Sequence, residues 1–90
     1  MENNKPYRQK KIGDKIYRLF DSETPEEEFM WHRDEKTRVV TSLNANDWKI
    51  QMDNELPFSI QGKRFVIPKG TWHRVIKGTG YLEIMIEEYD

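Results

Sequence analysis

The sequence predicts an all-β domain, and three observations carry that expectation. Short runs rich in β-branched and aromatic residues recur at roughly ten-residue spacing, each closed by Gly, Pro, Asn or Asp. Within one run Trp48, Ile50 and Met52 alternate with Lys49, Gln51 and Asp53; in another Leu82, Ile84 and Ile86 alternate with Glu83, Met85 and Glu87. A period of two places one set of side chains on a single face of a strand. Between Phe65–Ile67 and Trp72–Ile76 stands Pro68-Lys69-Gly70, whose fixed proline φ and permissive glycine suit a sharp reversal. Many short strands of this kind argue for a sandwich or barrel.

The elements follow in order. Residues 1–11 are polar and basic, with Lys5, Arg8, Lys10 and Lys11, and read as a flexible arm, tied down only if Tyr7 finds a pocket. The domain proper then runs from 12 to 90. Ile16–Phe20 is the first expected strand. Asp21–Glu28 is a polar connection in which Pro25 suits the first position of a single helical turn. Arg38–Leu43 has the β-branched content of a strand, and Asn44-Ala45-Asn46-Asp47 ends it. Trp48–Met52 follows, then a turn over Asp53–Pro57, then an apolar pair, Phe58 and Ile60, closed by Gln61-Gly62. Lys77-Gly78-Thr79-Gly80 reads as a hairpin connection into the last strand. No internal repeat and no linker divides the chain.

Ninety residues form one small domain with little surface to bury. Hydrophobic residues are 36% and charged residues 34%, with 12% aromatic, enough for a single core. The formal net charge is −1, from 15 basic and 16 acidic residues, which gives no global drive toward nucleic acid or an anionic membrane. The chain has no cysteine, so disulfides, thiolate metal sites and cysteine nucleophiles are excluded. No apolar run opens the chain or reaches bilayer-spanning length, and an intracellular, cytoplasmic protein is expected. Serine-hydrolase, P-loop and dinucleotide signatures are missing.

The chemistry-bearing residues sit in two places. Trp31-His32-Arg33-Asp34 carries one histidine and a carboxylate two residues on, which share a face on a strand. Gly62 to His73 carries the other histidine, directly after the Pro-x-Gly turn. His32, Asp34, Arg38 and Val40 share parity, as a continuous or bulged strand requires. Thr71, His73 and Val75 share one face of the later strand; Trp72, Arg74 and Ile76 share the other.

The stretch from Gly62 through Pro68 and Gly70 to His73 resembles the second motif of the cupin family, G-x5-P-x-G-x2-H, although Lys77 replaces the asparagine that usually follows it. The first cupin motif is matched at His32, but Asp34 replaces its second histidine, Arg38 its glutamate, and Asn44-Ala45 stand near its glycine. The resemblance spans Trp31 to about Ile86. It implies an antiparallel jelly-roll β-barrel with a divalent metal inside, Fe, Mn, Ni or Zn, held by His32, Asp34 and His73. Two histidines and a carboxylate suit these ions and leave positions open. Both histidines of the chain fall at ligand positions of the motifs. Arg38 either pairs with Asp34 or orients an anionic group of a small ligand. With His73 inward, Trp72 and Ile76 point outward, and the resemblance implies a homodimer in which Trp72 lies at the interface. The His-x-Asp…His pattern also resembles the 2-oxoglutarate-dependent oxygenases, but those chains are longer and carry their gripping arginine well past the last histidine, whereas Arg74 directly follows His73.

Two functions are therefore expected in competition. One is a metalloenzyme acting on a small polar or anionic molecule. The other is a non-catalytic sensor or accessory module with a degenerate metal site, working through its outer apolar face.

Overall fold

A computed structural model describes residues 8–90, and the side chains of all of these except Arg8, Glu27 and Glu28. Among the described residues, eight strands make two antiparallel sheets. They are β1 (Arg8–Ile12), β2 (Lys15–Phe20), β3 (Thr37–Ser42), β4 (Lys49–Met52), β5 (Phe58–Ser59), β6 (Arg64–Ile67), β7 (His73–Ile76) and β8 (Leu82–Tyr89). The larger sheet has the order β1-β2-β8-β3-β6 and the smaller β5-β4-β7. One turn of 3₁₀ helix, Glu26–Phe29, follows Pro25.

The alternation read from the sequence sets which faces meet. Trp48, just before β4, and Ile50 and Met52 within it turn inward, as do Leu82, Ile84 and Ile86 from β8; all six are buried. They join Phe20, Val40, Ile60 and Ile67 in one core. Trp48 is wholly buried at its centre, with Phe20 and Phe29 tilted against it at 6.1 and 5.9 Å between ring centroids. Each fully buried aliphatic side chain here contributes on the order of 2 kcal/mol of transfer free energy.

Three expectations are corrected. Arg8–Lys11, assigned to the flexible arm, form β1, which pairs with β2 through the Gly13-Asp14 turn, Ile12 opposite Lys15. A two-residue connection with glycine first, here at φ +61°, is a hairpin signal in its own right. Residues 1–7 of the arm, Tyr7 included, lie outside the described residues. Lys77–Gly80 is not a hairpin connection, because β7 belongs to the smaller sheet and β8 to the larger. His32, Asp34 and Arg38 do not share a continuous strand. His32 makes an isolated bridge to His73, and the chain then crosses to the larger sheet before β3 begins at Thr37.

The Pro-x-Gly turn likewise joins β6 of one sheet to β7 of the other, with Gly70 at φ +78°. That left-handed conformation is open to glycine at little cost. The turn also grips the crossing segment beside it. The Gly70 amide donates to the Asp34 carbonyl at 2.9 Å, and the Lys69 amide to Thr37 Oγ1 at 3.1 Å. The two stretches singled out in the sequence are thus tied to one another through backbone.

Candidate metal centre

His32, Asp34 and His73 come together at one end of the space between the sheets, with one ligand atom of each within 4.8 Å of the others. His73 opens β7 and is 3% exposed, while His32, on its bridge, is exposed to solvent. Their rings lie 4.4 Å apart, centroid to centroid, inclined at 60°.

Each histidine is oriented by the carbonyl two residues before it. His73 Nδ1 lies 2.8 Å from the Thr71 carbonyl oxygen, and His32 Nδ1 lies 3.0 Å from that of Met30. A carbonyl can only accept, so in both rings Nδ1 donates and Nε2 is left with its lone pair in the neutral tautomer. Nδ1 donation to a backbone carbonyl is also one of the usual ways in which proteins aim Nε2 at a metal.

Asp34 faces this pair of rings. Its Oδ2 lies 3.3 Å from His73 Nε2 and 3.3 Å from Arg38 Nη1. Neither nitrogen meets that buried oxygen with hydrogen-bond geometry, so its acceptor capacity is unspent. With His73 protonated at Nε2, donation from that ring, opposed by burial and assisted by the Arg38 charge and the two histidines, holds the carboxyl below the usual range for aspartate.

Arg38 lies mostly out of solvent and is shared between two carboxylates. Its Nε donates to Glu88 Oε2 at 3.0 Å, Nη2 lies 2.9 Å from the same oxygen, and Nη1 approaches Asp34. Of the two roles left open for Arg38, the ion pair with Asp34 is therefore the one the structure contains. Two carboxylates against one guanidinium leave one net negative charge beside the histidines, which suits a divalent cation better than the Arg38–Asp34 pair alone.

Glu88 was not foreseen from the sequence, although a signal for it exists. It continues the inward set Leu82, Ile84, Ile86 of β8, so a carboxylate there enters an apolar face, and it pairs in register with Arg38. Arg18 was also missed. It holds the inward parity of Ile16 and Phe20 on β2 and lines the same cavity as Arg38, with its Nε donating to Gln9 Oε1 at 2.6 Å. The cavity measures about 60 Å³ and is walled mainly by aliphatic side chains such as Val40, Ile50, Ile84 and Ile86, with Arg18, His32, Arg38 and His73 as polar lining. Such a volume admits a few waters or a small molecular group. Gln51, on the face of β4 opposite Ile50 and Met52, turns away from it and accepts from Arg74 Nε at 3.0 Å. Trp72 is 43% exposed on the outer side.

No family model matches the sequence, and no curated protein matches it. Solved structures do. A cupin-2 domain protein from Shewanella frigidimarina is 24% identical, with a TM-score of 0.60 over 94% of this chain and 81% of that one. A cupin domain from Bordetella pertussis is 15% identical, with a TM-score of 0.61 over 99% of this chain and 100% of the other. A protein from Neisseria meningitidis is 15% identical, with a TM-score of 0.65 over 99% and 89%. At these identities the likeness is one of fold, and the fold is that of the cupins.

Proposed function

We propose that this chain is a small cupin-type metal-binding protein, its two sheets forming a jelly-roll barrel around a divalent ion held by His32, Asp34 and His73. One observation carries the reading. His73 Nε2 and Asp34 Oδ2 stand 3.3 Å apart, and Nε2 keeps a free lone pair once Nδ1 has donated to Thr71. Two electron-pair donors this close favour a cation shared by both, and Arg38 reaches only the Asp34 side. The spacing is close to that of two ligands each about 2.1 Å from one tetrahedral ion. Nitrogen and oxygen donors of this kind bind Fe, Mn, Ni or Zn, and availability decides among them.

Bound there, the ion supplies Lewis acidity toward a small polar or anionic molecule in the cavity. The residues of the chain do the rest. Thr71 and Met30 fix the imidazole orientations, and the aliphatic walls limit what enters. Arg38 holds Asp34 in place while Glu88 offsets its charge. Arg38 grips an anionic ligand only by exchanging one of these carboxylates for it.

The second reading is a proton in place of the ion. His73, protonated on both nitrogens, then forms an ion pair with Asp34, and the protein is a non-catalytic module. The exposed outer tryptophans, Trp31 at 42% and Trp72 at 43%, favour it as a surface for a partner, including a second copy of the chain. Elemental analysis of protein purified without a chelating tag, beside His73→Ala, separates the two. Near-stoichiometric metal lost in the variant supports the first reading. No metal, and none taken up on titration, supports the second.

A further inference from the structure

The tripeptide Trp-His-Arg occurs twice, at Trp31–Arg33 and Trp72–Arg74. The two copies lie antiparallel to one another. His32 and His73 form the bridge between them, each amide donating to the other's carbonyl, at 3.0 Å from His32 and 2.8 Å from His73. In that register Trp31 is opposite Arg74 and Arg33 is opposite Trp72. Both cross-strand pairs are made: the Arg74 guanidinium lies 5.1 Å from the Trp31 ring centroid, and that of Arg33 lies 5.2 Å from Trp72. One side of the bridge thus carries the two imidazoles and the other carries two cation–π pairs, one flanking the histidines at each end.

His32 needs such a support. It lies in the crossing segment between the 3₁₀ turn and β3, outside any strand, and it is exposed. Two backbone bonds to His73 are a thin hold on a ligand-bearing backbone. Neither arginine is committed to an acid: among the described residues no carboxylate lies within ion-pair distance of Arg33 or Arg74, and the Arg74 Nε goes to the neutral Gln51. Their partners are the tryptophan faces. A half-exposed cation–π contact changes an equilibrium by about two- to fivefold, and two in parallel by about tenfold.

We infer that Arg33 and Arg74, stacked on Trp72 and Trp31, are positioning residues that clamp the His32–His73 bridge and hold the His32 imidazole beside that of His73. The role of the clamp in metal binding rests on the metal-centre reading above; the clamp itself does not.

Amide hydrogen exchange on the metal-free protein tests it first. Replacing both arginines (R33A/R74A) should lower protection of the His32 and His73 amides by about tenfold, with Val40 and Ile50 unchanged and R33K/R74K restoring most of the loss. Zinc titration reads the consequence. The double alanine variant should bind about tenfold more weakly, and the same pair of substitutions should have no further effect once His32 is already alanine. Unchanged exchange at His32 and His73 would overturn the clamp. So would an affinity loss of equal size with and without His32, since that marks general loosening rather than positioning of this ligand. Absence of zinc binding by the parent protein would overturn the metal reading alone, and the exchange result still decides the clamp.

Discussion

Asp34 Oδ2 lies 3.3 Å from His73 Nε2, although the proton of that ring is already engaged at Nδ1 by the Thr71 carbonyl 2.8 Å away. The contact joins the crossing segment to the first residue of β7, and it is fixed by backbone on both sides. Gly70 holds the Asp34 carbonyl, and His32 holds both polar backbone groups of His73. A carboxylate and an imidazole nitrogen presented to each other in this way are ready for either a metal or a shared proton, and four further expectations follow from their surroundings.

Glu88→Gln should weaken metal binding without unfolding the protein. The substitution keeps an acceptor for the Arg38 Nε but removes the charge that offsets Arg38, leaving a cation beside the site. Outer partners of metal ligands commonly contribute tenfold or more in affinity. Isothermal titration with zinc should show a loss of about tenfold, and an unchanged affinity would mean that Arg38 does not act on the site.

Acid should expose the Asp34 contacts in the stability curve. Its carboxyl is held below the ordinary value of 3.8, so the unfolded chain takes up this proton first as pH falls. A lowered folded-state pKa contributes stability that is fully present above the unfolded value and is lost as pH falls through the folded one. Urea midpoints of wild type and Asp34→Asn, measured in metal-free buffer, should be clearly separated at about pH 5. They should converge below pH 3.8, the wild type falling more steeply. A separation unaffected by acid would show that the charge of Asp34 contributes nothing to the fold.

Trp48→Ala should be among the most damaging single changes. The indole is wholly buried between Phe20 and Phe29, and its removal leaves a cavity that rigid strands cannot close. The expected loss is about 3–5 kcal/mol, read as a shift in the denaturant midpoint. A loss below about 1 kcal/mol would mean that the two sheets do not close over this residue as described.

Gly78→Ala should destabilise for a different reason. A Cβ at that position would collide with Asp47 Oδ1, and it would lie 2.8 Å from Trp48 Cδ1 and 2.9 Å from the Asp47 carbonyl carbon. Asp47 cannot yield freely, because its carboxylate accepts from both the amide and the hydroxyl of Thr79, each at 2.8 Å. Crowding a packed site of this kind costs about 1–3 kcal/mol. Thermal melts of Gly78→Ala and wild type should differ accordingly, and equal melting temperatures would contradict the packing of Asp47 on the β7–β8 connection.

The strands and their faces were legible because alternation is a local property. Trp48, Ile50, Met52, Leu82, Ile84 and Ile86 carry it, and all are buried. Which strands pair was not legible: the turn residues at Pro68–Gly70 and at Lys77–Gly80 look like hairpin connections, yet both carry the chain from one sheet to the other. Sequence marks where a chain turns, and only tertiary packing decides which neighbour it meets. The three residues of the centre were identified from motif spacing and do converge. Glu88 was overlooked because it belongs to the last strand, 50 residues beyond Arg38, and only the β3–β8 register joins them. The repeated Trp-His-Arg was present in the sequence, but its meaning depends on the two copies lying side by side.

The most direct test of the account asks what occupies the space between His73 Nε2 and Asp34 Oδ2. Long-range proton–nitrogen correlation spectra of ¹⁵N-histidine-labelled protein, recorded with and without one equivalent of zinc, report the state of each ring nitrogen. The account predicts that, with zinc, His32 and His73 both keep a proton on Nδ1 and both Nε2 signals move to metal-bound positions, the change at Nε2 being abolished in Asp34→Ala or much weakened. Spectra in which zinc leaves both rings unchanged, with His73 carrying protons on both nitrogens, would contradict it and make the contact an ion pair.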